Sequence, residues 1–130
     1  MVDDNPDTIR VLSDRLRAAG YPIVTANDGL TAVRLLTEAS VSSPIRGVLL
    51  DVQMPVMDGL EALRWLRSNL SSIPVLMMSA VENAAIVGEA RRLGAAGFIS
   101  KSEEGVTFIA RCAEVFGPPG NAVERRMTDE

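Results

Sequence analysis

Apolar positions along this chain follow two rhythms in turn: recurrences three or four residues apart, and short runs that are apolar throughout. Between Asn5 and Ala19, Ile9, Leu12, Leu16 and Ala19 hold the helical spacing, with Pro6 suited to the first turn and Gly20 to the stop, so a first helix is predicted there. Residues Pro22 to Ala26 read as a strand. Asn27-Asp28-Gly29 then turns the chain into a second helix carrying Leu30, Val33 and Leu36 inward. The polar stretch from Ser40 to Arg46 reads as a loop, and Val48-Leu49-Leu50 as a strand buried on both faces, ending at Asp51.

The second half repeats the alternation. Asp58 can cap a third helix, with Glu61 completing a capping box and Leu60, Leu63, Leu66 and Leu70 inward. Pro74 to Ser79 is a strand. A fourth helix follows from Asn83 to Leu93, with Ile86, Ala90 and Leu93 inward and Gly94 as its left-handed cap. Gly97 to Ser100 is the last strand; Ser102, Glu103 and Glu104 start a fifth helix spaced by Val106, Ile109, Ala113 and Phe116. Before all of these stand Met1 and Val2, a truncated first strand that ends at the acid pair Asp3-Asp4; a strand normally has about 5–6 residues.

Alternating strands and helices with short connections imply right-handed crossovers and a parallel sheet covered on both faces, an open α/β sandwich. With 130 residues there is room for one domain, placed at residues 1–116, with 117–130 as a linker or disordered tail. Ligands of such sheets sit beyond the carboxyl ends of the strands, where strand order reverses.

Composition narrows the chemistry. There is no histidine, which removes Ser-His-Asp and Cys-His nucleophile systems and the usual zinc sites. Thirteen basic against 17 acidic residues leave a net charge of −4, the wrong sign for a general nucleic-acid surface. Apolar runs fall far short of the roughly 18 residues that cross a bilayer, and the residues after Met1 form no secretory signal, so a cytoplasmic location and no membrane contact are expected. Cys112, in an apolar helical setting, reads as a small buried hydrophobe.

The chemically capable residues fall at predicted strand ends: Asp3 and Asp4, Asp51, Ser79, and Lys101 just past the last strand. If the strand order is 2-1-3-4-5, three carboxylates converge, and their repulsion disfavours the charged forms unless something cationic offsets it. A hard divalent ion with oxygen ligands fits, and Mg²⁺ fits best. Such a rim suits phosphoryl transfer, in which charge gathers on the phosphoryl oxygens: Asp51 as nucleophile, Lys101 and the Ser79 hydroxyl on the oxygens. Taken singly, each residue has a plainer reading. Asp4 or Asn5 would cap the first helix, Asp51 would be a turn residue, Ser79 a loop hydroxyl and Lys101 a solvated charge; Asp58-Gly59 is explained by capping and turn chemistry.

Val2-Asp3-Asp4, Asp51-Val52-Gln53-Met54-Pro55-Val56-Met57-Asp58-Gly59, Ser79-Ala80 and Gly97-Phe98-Ile99-Ser100-Lys101 together resemble the receiver domain of bacterial two-component response regulators. The resemblance implies a flavodoxin-like (βα)5 sandwich and makes Asp51 the phosphoacceptor. It assigns the metal to Asp3, Asp4, Asp51 and the Gln53 carbonyl, and the phosphate to Ser79, Ala80 and Lys101. It makes a histidine kinase or phosphotransfer protein the donor, and Ser79 and Phe98 the switch that repacks the surface of the fourth helix, fifth strand and fifth helix to control an output such as transcription. The chain would then be a signalling switch rather than a turnover enzyme. Two departures stand out: the family's usual Lys-Pro is Lys101-Ser102 here, and the first strand is short enough that a partner chain, such as a second copy in a homodimer, could fill the gap.

Two rival functions use the same residues. A haloacid-dehalogenase-like phosphatase also joins Asp, Mg²⁺, Ser or Thr and Lys, but needs a second Asp two residues after the nucleophile, where Gln53 stands. A pseudo-receiver would keep the fold as a protein-binding module without phosphorylation.

Overall fold

The computed structural model describes residues 1–38, 45–52, 58–70, 72–79, 84–102 and 105–118. Its helices are α1 (Pro6–Ala18), α2 (Gly29–Glu38), α3 (Gly59–Asn69), α4 (Ala84–Arg92) and α5 (Gly105–Phe116), and its strands β1 (Val48–Asp51), β2 (Val75–Ser79) and β3 (Gly97–Ser100). The three strands form one parallel sheet, with Leu50 opposite Met77 and Met77 opposite Phe98. Two single-residue bridges extend it: Val2 pairs in parallel with both Leu50 and Ala26. Across the sheet the order is therefore Ala26, Val2, β1, β2, β3, which is the order 2-1-3-4-5.

The continuous apolar runs of the strands are explained by cover on both faces. Val48, Leu50, Val75 and Met77 pack with Ala32 and Leu36 of α2, Leu63 and Leu66 of α3 and Ala90 of α4. The alternate residues Leu49, Leu76, Met78 and Ile99 pack with Leu12 and Leu16 of α1 and Phe108 and Cys112 of α5. Adjacent residues of one strand thus serve opposite cores.

Helix boundaries follow local chemistry. Asn5 caps α1, its side chain accepting from the amides of Asp7 at 2.9 Å and Thr8 at 3.3 Å. Asp28 accepts from the Thr31 amide at 2.7 Å, which holds its carboxyl below the usual range. Asp58 accepts from the Glu61 amide at 2.9 Å. Gly20 and Gly94 take positive φ where α1 and α4 stop, as a left-handed cap requires.

Three expectations need correction. Residues 22–25 form no strand, and Ala26 alone makes a bridge, because Met1 and Val2 offer too little backbone to pair with. Of the expected stripe of α2, Leu36 is buried but Leu30 is exposed, and Ala32 is buried beside Leu36. Val106 is 86% exposed; the inward stripe of α5 is set by Phe108 and Cys112, which pack with Leu76, Met78 and Ile99 of the sheet. Residues 40–44 of the expected loop and 119–130 of the expected tail lie outside the described residues.

Candidate functional site

Asp3 follows the Val2 bridge, Asp51 ends β1, Ser79 ends β2 and Lys101 follows β3, so all four lie on the carboxyl edge of the sheet. Parallel pairing makes this unavoidable. Asp51 is opposite Met78 and Ser79 opposite Ser100, and the Lys101 amide donates to the Ser79 carbonyl at 2.8 Å. On the other side, the Asp51 amide donates to the Val2 carbonyl at 2.9 Å.

Asp3, Asp51 and Ser79 are buried, and Asp4 is exposed. One carboxylate oxygen from each of Asp3, Asp4 and Asp51 lies within 4.8 Å of the others. The Lys101 ammonium sits against two of them, 2.7 Å from Asp3 Oδ2 and 3.2 Å from Asp51 Oδ2. Burial pulls that ammonium down, but its close contact with Asp3 and the charges of Asp51 and Asp3 outweigh burial and raise its pKa above the usual 10.5. Asp3 Oδ1 accepts from the Asn5 amide at 2.9 Å. Because Asn5 caps α1, Asp4 is left for the rim.

Three carboxylates against one ammonium leave two negative charges in excess, the amount one divalent cation neutralises. The donor set is all oxygen, which suits Mg²⁺. Apart from the Lys101 ion pair, the buried Asp3 Oδ2 accepts no hydrogen bond of ordinary geometry among the described residues, so it offers a lone pair to a metal. The residues present fit the ion.

The turn after Lys101 is held without proline. Ser100 Oγ lies 2.7 Å from Ser102 Oγ and accepts from the Ser102 amide at 3.2 Å, and no cis peptide occurs among the described residues. Phe98 is half-buried against the core that contains Met77 and Ala90, and its carbonyl accepts from Arg111 at 2.7 Å. Gln53 and Ala80 lie outside the described residues.

Sequence reasoning missed Gly59. Its φ is not positive, so turn chemistry is not the reason for it. A Cβ there would overlap the Asp51 carbonyl oxygen and come within 2.7 Å of the Val52 Cα, and its amide donates to the Val52 carbonyl at 2.8 Å. Gly59 lets the first turn of α3 rest directly on the backbone that carries Asp51. An Asp-Gly pair just after a rim carboxylate was the available signal.

The family model of the response regulator receiver domain matches residues 1–112. The chain belongs to that family. Among curated relatives, this receiver domain is 36% identical over 101 residues to the regulatory protein AtoC of Escherichia coli strain K12, covering 78% of this chain and 21% of AtoC. It is 32% identical over 111 residues to the transcriptional regulatory protein KdpE of Mycobacterium tuberculosis, covering 85% and 47%. The receiver domain therefore spans between about a fifth and a half of the length of these relatives.

Solved structures agree on the fold. The chemotaxis protein CheY4 of Vibrio cholerae superposes with a TM-score of 0.79 at 29% identity, covering 88% of this chain and 93% of that one. CheY from a Borrelia burgdorferi complex with CheX, BeF3 and magnesium gives 0.80 at 30% identity, covering 87% and 84%. No helix among the described residues is long and apolar enough to cross a membrane.

Proposed function

We propose that the rim accepts a phosphoryl group on Asp51 from a phosphorylated histidine kinase or phosphotransfer protein and passes the change to an output. The observation that carries this reading is the contact of Asp51 with the Lys101 ammonium beside Asp3 and Asp4. A carboxylate oxygen of Asp51 attacks phosphorus; the new P–O bond forms as the bond to the donor breaks, and the donor keeps that electron pair. Lys101 pairs with one phosphoryl oxygen, and the Ser79 hydroxyl donates to another. When bound by Asp3, Asp4, Asp51 and the Gln53 carbonyl, Mg²⁺ supplies positive charge against the carboxylates and the incoming oxygens. The magnesium and BeF3 in the related CheY complex support this, because trifluoroberyllate has the shape and charge of a phosphoryl group on a carboxylate.

Phosphorylation adds about −1.5 to −2 charges at one point. Drawing the Ser79 hydroxyl toward them frees space that the Phe98 ring fills, repacking α4, β3 and α5. The domain is a switch of the cytoplasm rather than a turnover enzyme, and the names of its relatives support transcription as its output.

The test is incubation with Mg²⁺ and a small acyl phosphate, followed by intact mass. A transient gain of one phosphoryl group by the wild type and none by Asp51→Asn is expected. An equal gain by Asp51→Asn overturns the assignment of the acceptor. Donor hydrolysis without an adduct points to a phosphatase, and no reaction to a binding module.

A further inference from the structure

The Lys101 side chain has to work sideways. Its ammonium meets Asp3 and Asp51, yet Asp51 ends β1 and Lys101 follows β3, with β2 between them. Neighbouring strands stand about 4.8 Å apart, so Asp51 is roughly 10 Å across the sheet, a span that a lysine and an aspartate bridge only when both are laid along the rim. A side chain extended that far brings its charge to the right place only if its own backbone is aimed. A small rotation about the Lys101 backbone carries the ammonium through a wide arc.

Two consecutive amides set that aim. The Lys101 amide donates to the Ser79 carbonyl at 2.8 Å, which continues the pairing of β2 with β3 just past Ser100. The next amide, of Ser102, turns back onto Ser100 Oγ at 3.2 Å, and Ser102 Oγ lies 2.7 Å from the same atom. Lys101 is therefore the middle residue of a turn closed by a side chain. That closure restrains both backbone dihedrals of Lys101. Neither neighbour is a proline, so no pyrrolidine ring shares the task. By strand alternation Ser100 shares the face of Phe98, opposite to that of Ile99, and its hydroxyl acts on the backbone that follows it.

We propose that Ser100 is a positioning residue for phosphoryl acceptance: by holding the Ser102 amide, its hydroxyl aims the Lys101 ammonium at Asp3, at Asp51 and at the phosphoryl oxygen that Asp51 receives. This rests on the reading of Asp51 as the acceptor. A lysine released from the turn keeps its charge but is less often in place, so acceptance slows. The carboxylates themselves are untouched and stay available to Mg²⁺.

The test compares Ser100→Thr with Ser100→Val, side chains of nearly one shape of which only Thr keeps the oxygen, each alone and combined with Lys101→Met. Phosphoryl gain from a small acyl phosphate is followed by intact mass across donor concentrations, Mg²⁺ affinity by calorimetry, and stability by the urea midpoint. Ser100→Thr is expected to match the wild type. Ser100→Val is expected to lower the maximal rate roughly fivefold, the size of one hydrogen bond, with Mg²⁺ affinity unchanged. In the Lys101→Met background the two variants are expected to accept at one rate, and the gap between their urea midpoints to shrink, because Ser100 acts through Lys101. Equal rates of the two variants beside Lys101 overturn the proposal. So does a parallel loss of Mg²⁺ affinity in Ser100→Val, which marks general damage to the rim, and so does a gap in urea midpoint that Lys101→Met leaves unchanged. A wild type that gains no phosphoryl group overturns the acceptor reading instead, and the urea comparison then decides whether Ser100 aims Lys101.

Discussion

Lys101 and Asp3 form an ion pair of 2.7 Å between residues 98 positions apart, with the carboxylate fully buried and the lysine side chain 16% exposed. Since Asp51 lies against the same ammonium, one cation neutralises part of two buried charges. Replacing Lys101 with Met keeps the apolar stem and removes the charge. A loss of about 3 kcal/mol is expected by urea unfolding at neutral pH, because a buried carboxylate without its partner is the costly state. Adding Asp3→Asn to Lys101→Met recovers part of the loss. The sign with pH follows from the raised lysine pKa: the contribution is full below the unfolded value near 10.5 and is lost as pH climbs through the higher folded value.

Gly59 and Gly88 predict opposite outcomes for one substitution. Both are helical, and Ala is ordinarily better there by about 1 kcal/mol. A methyl group added at Gly88 would meet open space, so Gly88→Ala should stabilise by about that amount. At Gly59 the methyl would strike the backbone of Asp51 and Val52. Gly59→Ala should destabilise by about 2 kcal/mol and reduce phosphoryl acceptance, read by urea unfolding and intact mass.

Burial pushes the Cys112 thiol up to about 12. The folded protein should resist a thiol-alkylating reagent at pH 8 to 9 and react fully once unfolded, measured by mass after timed quenching. Stability is affected in the alkaline range alone. The unfolded thiol ionises near 9.0 while the folded one keeps its proton, so stability falls as pH rises from there toward 12.

The Tyr21 hydroxyl donates to the Gly117 carbonyl at 2.7 Å, fastening the end of α5 to the segment after α1. Tyr21→Phe removes that bond and keeps the ring. A loss of about 1 kcal/mol and faster exchange of amides near Gly117 are expected, with phosphoryl acceptance unchanged.

The strands β1, β2 and β3 were legible because two-sided burial writes itself as unbroken apolar runs, and the rim followed from where those runs stop. Asn5 and Asp58 were legible as caps because capping is local. The facing of α5 was harder to read: Val106, Phe108, Ile109, Cys112 and Phe116 satisfy more than one helical phase, and packing against Ile99 and Met78 decides among them. Residues 22–25 have strand-like side chains, but a strand exists only with a partner. The role of Gly59 depends on a contact between segments, which no local pattern records.

The sheet is also a septum. Phe98 faces the compartment of α2, α3 and α4, and its neighbour Ile99 that of α1 and α5. Substitutions that retune one compartment need not disturb the other, so a lineage can remodel the exit for its signal while the opposite wall, with Leu12, Leu16 and Phe108, continues to hold the molecule together.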